Sequence, residues 1–182
     1  MLLELSPHPE TPCAFVDRLE VEVARHGTRL LLDYRLRGDM GRWRVPVRRE
    51  PRRQDGLWQH SCFEAFVHGA GEAYCEINLS PSSEWAAYGF DAYRAGMRPL
   101  DRVPDPEIGM RGDDAVHALR AEVELGSVAA LRPDRPWRIG LSAVIEDVDG
   151  TKSYWALAHP PGPPDFHHPD CFVAELAAAR PA

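Results

Sequence analysis

Residues Asp55–Phe90, DGLWQHSCFEAFVHGAGEAYCEINLSPSSEWAAYGF, decide how the chain is read. Cys62–Val67 and Ala73–Leu79 are rich in aromatic and β-branched residues, with the turn chemistry of Gly69-Ala70-Gly71 between them. Together they predict an antiparallel hairpin, and Trp85–Phe90 predicts a third strand. Successive side chains of a strand point to opposite faces. One face collects Phe63, Ala65, Val67, Cys75, Ile77 and Leu79, a core face. The other collects Trp58, His60, Cys62, Glu64, Phe66, Tyr74, Glu76, Asn78 and Ser80. A solvated face would carry Thr, Lys, Arg and Gln. This one mixes large aromatics with carboxylates and an amide, as sites for polar ligands do. A short connection sets Glu64 near Glu76 across the pair, where like charges repel. Such a pair persists with a cation, a shared proton, an arginine or a ligand hydroxyl between its members. Splaying into water, or pairing with an arginine such as Arg44 or Arg138, is the alternative.

Working outward, Val16–Ala24 and Thr28–Leu36 alternate about a His26-Gly27 turn and form a hairpin. Trp43–Val47 reads as a short strand whose Pro46 confines it to an edge or a bulge. Asp91–Asp114, with three prolines and several glycines, reads as a long irregular segment. Ala115–Leu125 alternates again. Trp137–Val148 and Lys152–Ala158 flank an Asp149-Gly150 turn. His159–Pro169 is a proline-rich loop, Cys171–Leu176 a last strand, and Gly126–Leu131 fits a helical turn. About ten short strands with almost no helix-period sequence predict an all-β chain, a two-sheet antiparallel β-sandwich of jelly-roll or Ig-like kind. A closed barrel is the alternative. With no repeat or linker, residues 1–182 are expected to form one domain, its core spanning about 14–177.

The 182 residues are 44% hydrophobic and 27% charged, an ordinary globular balance. A net charge of −7 argues against a nucleic-acid partner, which needs a basic face. The N-terminal MLLELSPHPETP lacks a basic flank followed by an apolar run, so neither an export signal nor a membrane anchor is expected. Cys13, Cys62, Cys75 and Cys171 show no CxxC spacing. They are expected to be reduced thiols of a cytoplasmic protein.

DGLWQHSCFEAFV, YCEINLSPSSEWAAYGFDAYRAGM and SYWALAHPPGPPDFHHPDCF together resemble the DOMON-like family. These are β-sandwich ligand-binding domains similar to family-nine-type carbohydrate-binding modules. The LWQHxCFE and NxSPSxxW pieces are specific enough to point to one small bacterial branch, with Ser61 and Ser83 as mild departures. The resemblance implies a ligand groove on one sheet, in relatives that bind sugars or haem. Tryptophans that stack on sugar rings and polar side chains that hold hydroxyls would map onto Trp58, Glu64, Glu76, Asn78 and Trp85. His60 and Tyr74 join them on the same face. Met40, Met97, Met110, His26 and His117 are present as haem-ligand types, but no motif singles out a pair, and no cofactor is expected.

The loop at 159–170 raises a metal reading through His159, His167, His168 and Asp170. Adjacent histidines point apart in an extended chain, and no HxH or HExxH spacing occurs. A rigid clasp over the sheet, its histidines bonding Glu64 or Glu76, is the other reading. Glu64 and Glu76 also resemble a glycosidase pair. However, neighbours on one hairpin do not flank a scissile bond, and GxSxG, P-loop and Rossmann fingerprints are absent from the sequence. The reading that results is non-catalytic binding of a small polar ligand, sugar-like, at Trp58, His60, Glu64, Tyr74, Glu76, Asn78 and Trp85. A carboxylate-pair glycosidase, a His/Cys metal hydrolase, and a haem-binding or protein-interaction module are the alternatives.

Overall fold

The computed structural model describes residues 1–179, and strands dominate it. In chain order they are β1 (Leu2–Pro7), β2 (Val16–His26), β3 (Arg29–Gly38), β4 (Arg52–Arg53), β5 (Cys62–His68), β6 (Tyr74–Leu79) and β7 (Glu84–Phe90). Then follow β8 (Arg98–Pro99), β9 (Glu107–Gly112), β10 (Val116–Glu124), β11 (Trp137–Glu146), β12 (Lys152–Ala156) and β13 (Ala174–Leu176). Their hydrogen-bonded order is β4-β7-β6-β5-β11-β12-β1-β2-β3-β10-β9, with β13 on β11 and β8 on β7. Every pairing is antiparallel except β4 with β7.

Strand β1 joins the two halves: Leu2–Leu5 pair with β2, while Ser6 and Pro7 pair with β12. The sheet curls until its halves face each other. Tyr34 of β3 donates its hydroxyl to the Glu64 carbonyl of β5 at 2.7 Å, and its ring lies 5.0 Å from Phe63. Between the halves sits the main core, in which Leu19, Leu32, Phe63, Ile77, Leu119 and Trp137 are fully enclosed. Each such side chain contributes roughly 1.5–3 kcal/mol of burial. The core face read from the sequence, Phe63 to Leu79, is all here. Gly38 is required at the end of β3: with φ +148°, a Cβ there would collide with the Phe15 carbonyl oxygen.

Several local expectations change. Trp43–Val47 is no strand; only Trp43 bridges, to Asp147, while its indole donates to Ser61 Oγ at 2.9 Å. Burial of that one ring fixes the segment, and the arginines and proline around it leave no ladder to form. The irregular stretch after Phe90 contains β9, an edge strand whose large apolar residues, Ile108 and Met110, pack half-buried against the core. Leu2–Pro7 is also a strand. Gly126–Leu131 makes two successive turns rather than a helix. Cys171 ends a 3-10 turn, so the last strand is only Ala174–Leu176. The β11–β12 connection spans Asp147–Thr151 and is held by the Asp147 carboxylate, which accepts from the Asp149 and Thr151 amides at 2.9 and 3.0 Å. Among the described residues no helix is long and apolar enough to cross a membrane.

Candidate functional site

The outer faces of β5, β6 and β7 build the site. Alternation turns Phe66, Tyr74, Tyr88 and Phe90 outward together with Glu64 and Glu76. Facing water, those rings would be costly; instead the loop after β12 covers part of them. Phe172 meets Phe66, His68 and Tyr74, with centroids 5.6–6.3 Å apart, and His167 lies 5.0 Å from both Phe66 and Phe90. This second cluster clasps the loop to the sheet. Arg94 donates to Asp165 at 2.7 Å and Tyr93 donates to the same carboxylate, which ties the loop to the turn after β7. Arg94 holds a left-handed φ of +53°, and its backbone N–H donates to the Tyr74 hydroxyl at 3.2 Å.

The clasp leaves part of the face uncovered as a cavity of about 590 Å³. That lies within the roughly 300–1,000 Å³ typical of small-ligand sites. Glu64, Glu76 and Val144 line it from the sheet; Tyr88, Phe90, Tyr154, Phe166 and His167 contribute rings. Trp58 and Met97 also line it and are more than half exposed, as expected of residues at a mouth.

Both carboxylates are nearly enclosed, Glu64 at 3% exposure and Glu76 at 6%. They are not directly opposed, as the short-connection reading had them. The register sets Glu64 against Asn78 and Glu76 against Phe66, so the acids are diagonal neighbours. Such positions are roughly 7–8 Å apart. Ser142 Oγ donates to Glu64 Oε2 at 3.1 Å, and Asn78 Nδ2 donates to Glu76 Oε1 at 2.6 Å. The Cys62 thiol donates to Asn78 Oδ1 at 3.6 Å, which orients the amide. Burial, with Glu76 adding repulsion, raises the Glu64 carboxyl to about 8. Burial also raises Glu76, against the lowering effect of Asn78 and Arg94.

His167 is uncharged: burial, with Arg94 nearby, holds it down at about 4. The Tyr74 hydroxyl accepts from Arg94 and sits 2.8 Å from His167 Nδ1. Nε2 of the same ring lies 3.7 Å from Glu76 Oε2. That distance is too long for a hydrogen bond.

Of the residues read from the sequence, Trp58, Glu64 and Glu76 meet at the cavity. Tyr74 and Asn78 stand behind it and orient His167 and Glu76. His60 turns elsewhere and pairs with Glu146 at 2.8 Å. Trp85 is a correction. It lies opposite Leu79 on the core face at 3% exposure, because the Ser80–Ser83 turn starts β7 in that phase. Of the loop's four metal candidates, only His167 reaches the site. His159 meets the Ser6 carbonyl, and His168 Nδ1 accepts from the Asp170 amide. Among the described residues, no three His, Cys, Asp or Glu side chains gather as a metal site would require. Neither Arg44 nor Arg138 meets the acids; Arg44 bonds Glu146 and Arg138 the Phe172 carbonyl. Tyr88 and Phe90 were within reach of the alternation argument applied to β7. Tyr154, Phe166 and Thr11 come from elements that only the tertiary fold brings near.

No family model and no curated protein sequence matches the chain. Solved structures do. A Bacteroides uniformis protein, provisionally assigned as carbohydrate-binding, aligns over 96% of this chain and 86% of its own, with 15% identity and a TM-score of 0.67. A family 9 carbohydrate-binding module from Caldicellulosiruptor kristjanssonii, in complex with cellotriose, aligns over 90% and 76%, with 9% identity and a TM-score of 0.56. A module of the same family and organism, in complex with glucose, gives 10% identity over 90% and 78%, with a TM-score of 0.51. The fold resembles that of family 9 carbohydrate-binding modules. At these identities the likeness establishes the β-sandwich fold.

Proposed function

We propose that the chain is a sugar-binding module without catalytic activity, of the DOMON-like kind. The observation that carries this is the cavity itself, lined by the aromatic residues Trp58, Tyr88, Phe90, Tyr154 and Phe166 and by two buried acids, Glu64 and Glu76. Aromatic faces suit the apolar faces of a pyranose ring, and carboxylates accept from its hydroxyls more strongly than neutral groups do. The likeness to modules solved with glucose and cellotriose supports the reading.

Placement of the two acids supports binding over hydrolysis. Glu64 and Glu76 project from adjacent strands of one sheet, so they meet a ligand from the same side. A glycosidase needs its two carboxyl groups on either side of the scissile bond. Isothermal titration with glucose, cellobiose and cellotriose, alongside chromatography of the sugars after long incubation, tests the proposal. Saturable binding with intact sugars is expected. Shortened products, or no heat from any sugar, would overturn it.

A further inference from the structure

The charges around the cavity point beyond a neutral sugar. Of the four carboxylate oxygens of Glu64 and Glu76, two are bonded, to Ser142 and Asn78. Each remaining oxygen, on a side chain more than nine-tenths enclosed, has no hydrogen-bond donor among the described residues. Arg94 lowers Glu76 from a distance, but among the described residues no cation bonds either acid. The Arg94 guanidinium is bonded to Asp165, and His167 is neutral with Nδ1 bonded to Tyr74. The Tyr88 hydroxyl donates to Asp55, Cys62 contributes a thiol, and Tyr154 a phenol. Repulsion between two enclosed acids is thus left for an occupant to relieve. A neutral hydroxyl supplies one donor and no charge. An ammonium supplies three donors and a charge that favours both ionised acids. The aromatic rings beside it, Tyr88, Phe90, Tyr154 and Phe166, attract cations through their faces.

We infer that the ligand is an amino sugar, its ammonium seated against Glu64 and Glu76 and its ring against the aromatic wall. This rests on the sugar-binding reading and narrows it.

Calorimetric titration of the intact protein at about pH 7 with glucosamine, glucose, N-acetylglucosamine and methylammonium tests it at one ionic strength. Glucosamine should bind about tenfold tighter than glucose or N-acetylglucosamine, with release of the proton that Glu64 holds in the free protein, and the advantage should shrink as the pH falls below about 7 and that release becomes costlier. The double variant Glu64→Gln/Glu76→Gln should narrow the glucosamine-to-glucose ratio to about twofold or less. If that variant does not fold, the wild-type series decides alone. Glucose or N-acetylglucosamine binding as tightly as glucosamine would overturn the inference and leave the sugar reading standing. Methylammonium binding with no response to any sugar would overturn both, since the cavity would then recognise an amine alone.

Discussion

Replacing Glu64 with glutamine keeps the shape of the side chain and removes a charge that the fold encloses. In the folded chain the Glu64 carboxyl lies near 8, against 4.5 for the free group. Between those values the folded state binds the proton and the unfolded state does not, so this group's contribution to stability falls as pH rises. Each tenfold fall in proton concentration across that window removes about 1.36 kcal/mol, so the loss between about pH 5 and pH 7 is roughly 2–3 kcal/mol. His167 acts in the opposite direction. Its folded value lies near 4, below the usual 6.5, so its contribution is lost as pH falls through that window. Below about pH 6.5 the two slopes offset each other, while above it the acid's slope stands without the histidine's. The difference between Glu64→Gln and wild type removes the histidine and isolates the acid. In thermal melts across about pH 5–8, the variant should gain on wild type as pH rises, by roughly 5–10 °C from pH 5 to pH 7 for a chain of this size. A difference that does not change with pH would refute the reasoning. So would a uniform loss of several kcal/mol, which would mean that the carboxylate satisfies a structural ion pair.

Ile77→Ala empties the main core and should cost roughly 2–5 kcal/mol in chemical denaturation. Trp58→Ala, at 53% exposure, should cost at most about 1 kcal/mol while weakening sugar binding in titration. Equal large losses would make Trp58 a core residue. Trp85→Ala should destabilise by roughly 3–5 kcal/mol and leave the affinity of the folded protein within about twofold. Loss of binding without loss of stability would contradict its placement. Mass analysis after alkylation should find Cys62 and Cys75 as free thiols, because they lie in separate clusters on opposite faces of the sheet. A stoichiometric bridge between them would contradict the register.

The alternation in β5 and β6 made both faces of the central hairpin legible, because a period of two is fixed by backbone geometry alone. It placed Phe63, Ile77 and Leu79 in the core, and Glu64 and Glu76 on the other side. Alternation does not carry through a turn of unknown shape. Ser80–Ser83 reset the phase, and Trp85 went to the core while Tyr88 took the site. His60 precedes its strand in a 3-10 turn, so strand parity says nothing about it. The edge strand β9 carries only two large apolar residues, Ile108 and Met110, half-buried against the core, while its other face is wet and one edge has no partner, so the run is too short to stand out as alternation. Tyr154 and Phe166 entered the cavity through the β12 pairing and the clasping loop, long-range contacts that leave no local pattern. His167 stands in that loop, which the sequence offered either as a metal site or as a clasp with histidines bonding Glu64 or Glu76; it faces Glu76 at 3.7 Å without bonding it.

The most direct measurement is nuclear magnetic resonance of the uniformly labelled protein during titration with glucose and glucosamine. Saturable shifts should concentrate at Trp58, Glu64, Glu76, Tyr88, Phe90, Tyr154 and Phe166, with the largest carboxyl carbon changes at Glu64 and Glu76 for glucosamine. Shifts confined to another face, or none with either sugar, would contradict a sugar site in this cavity.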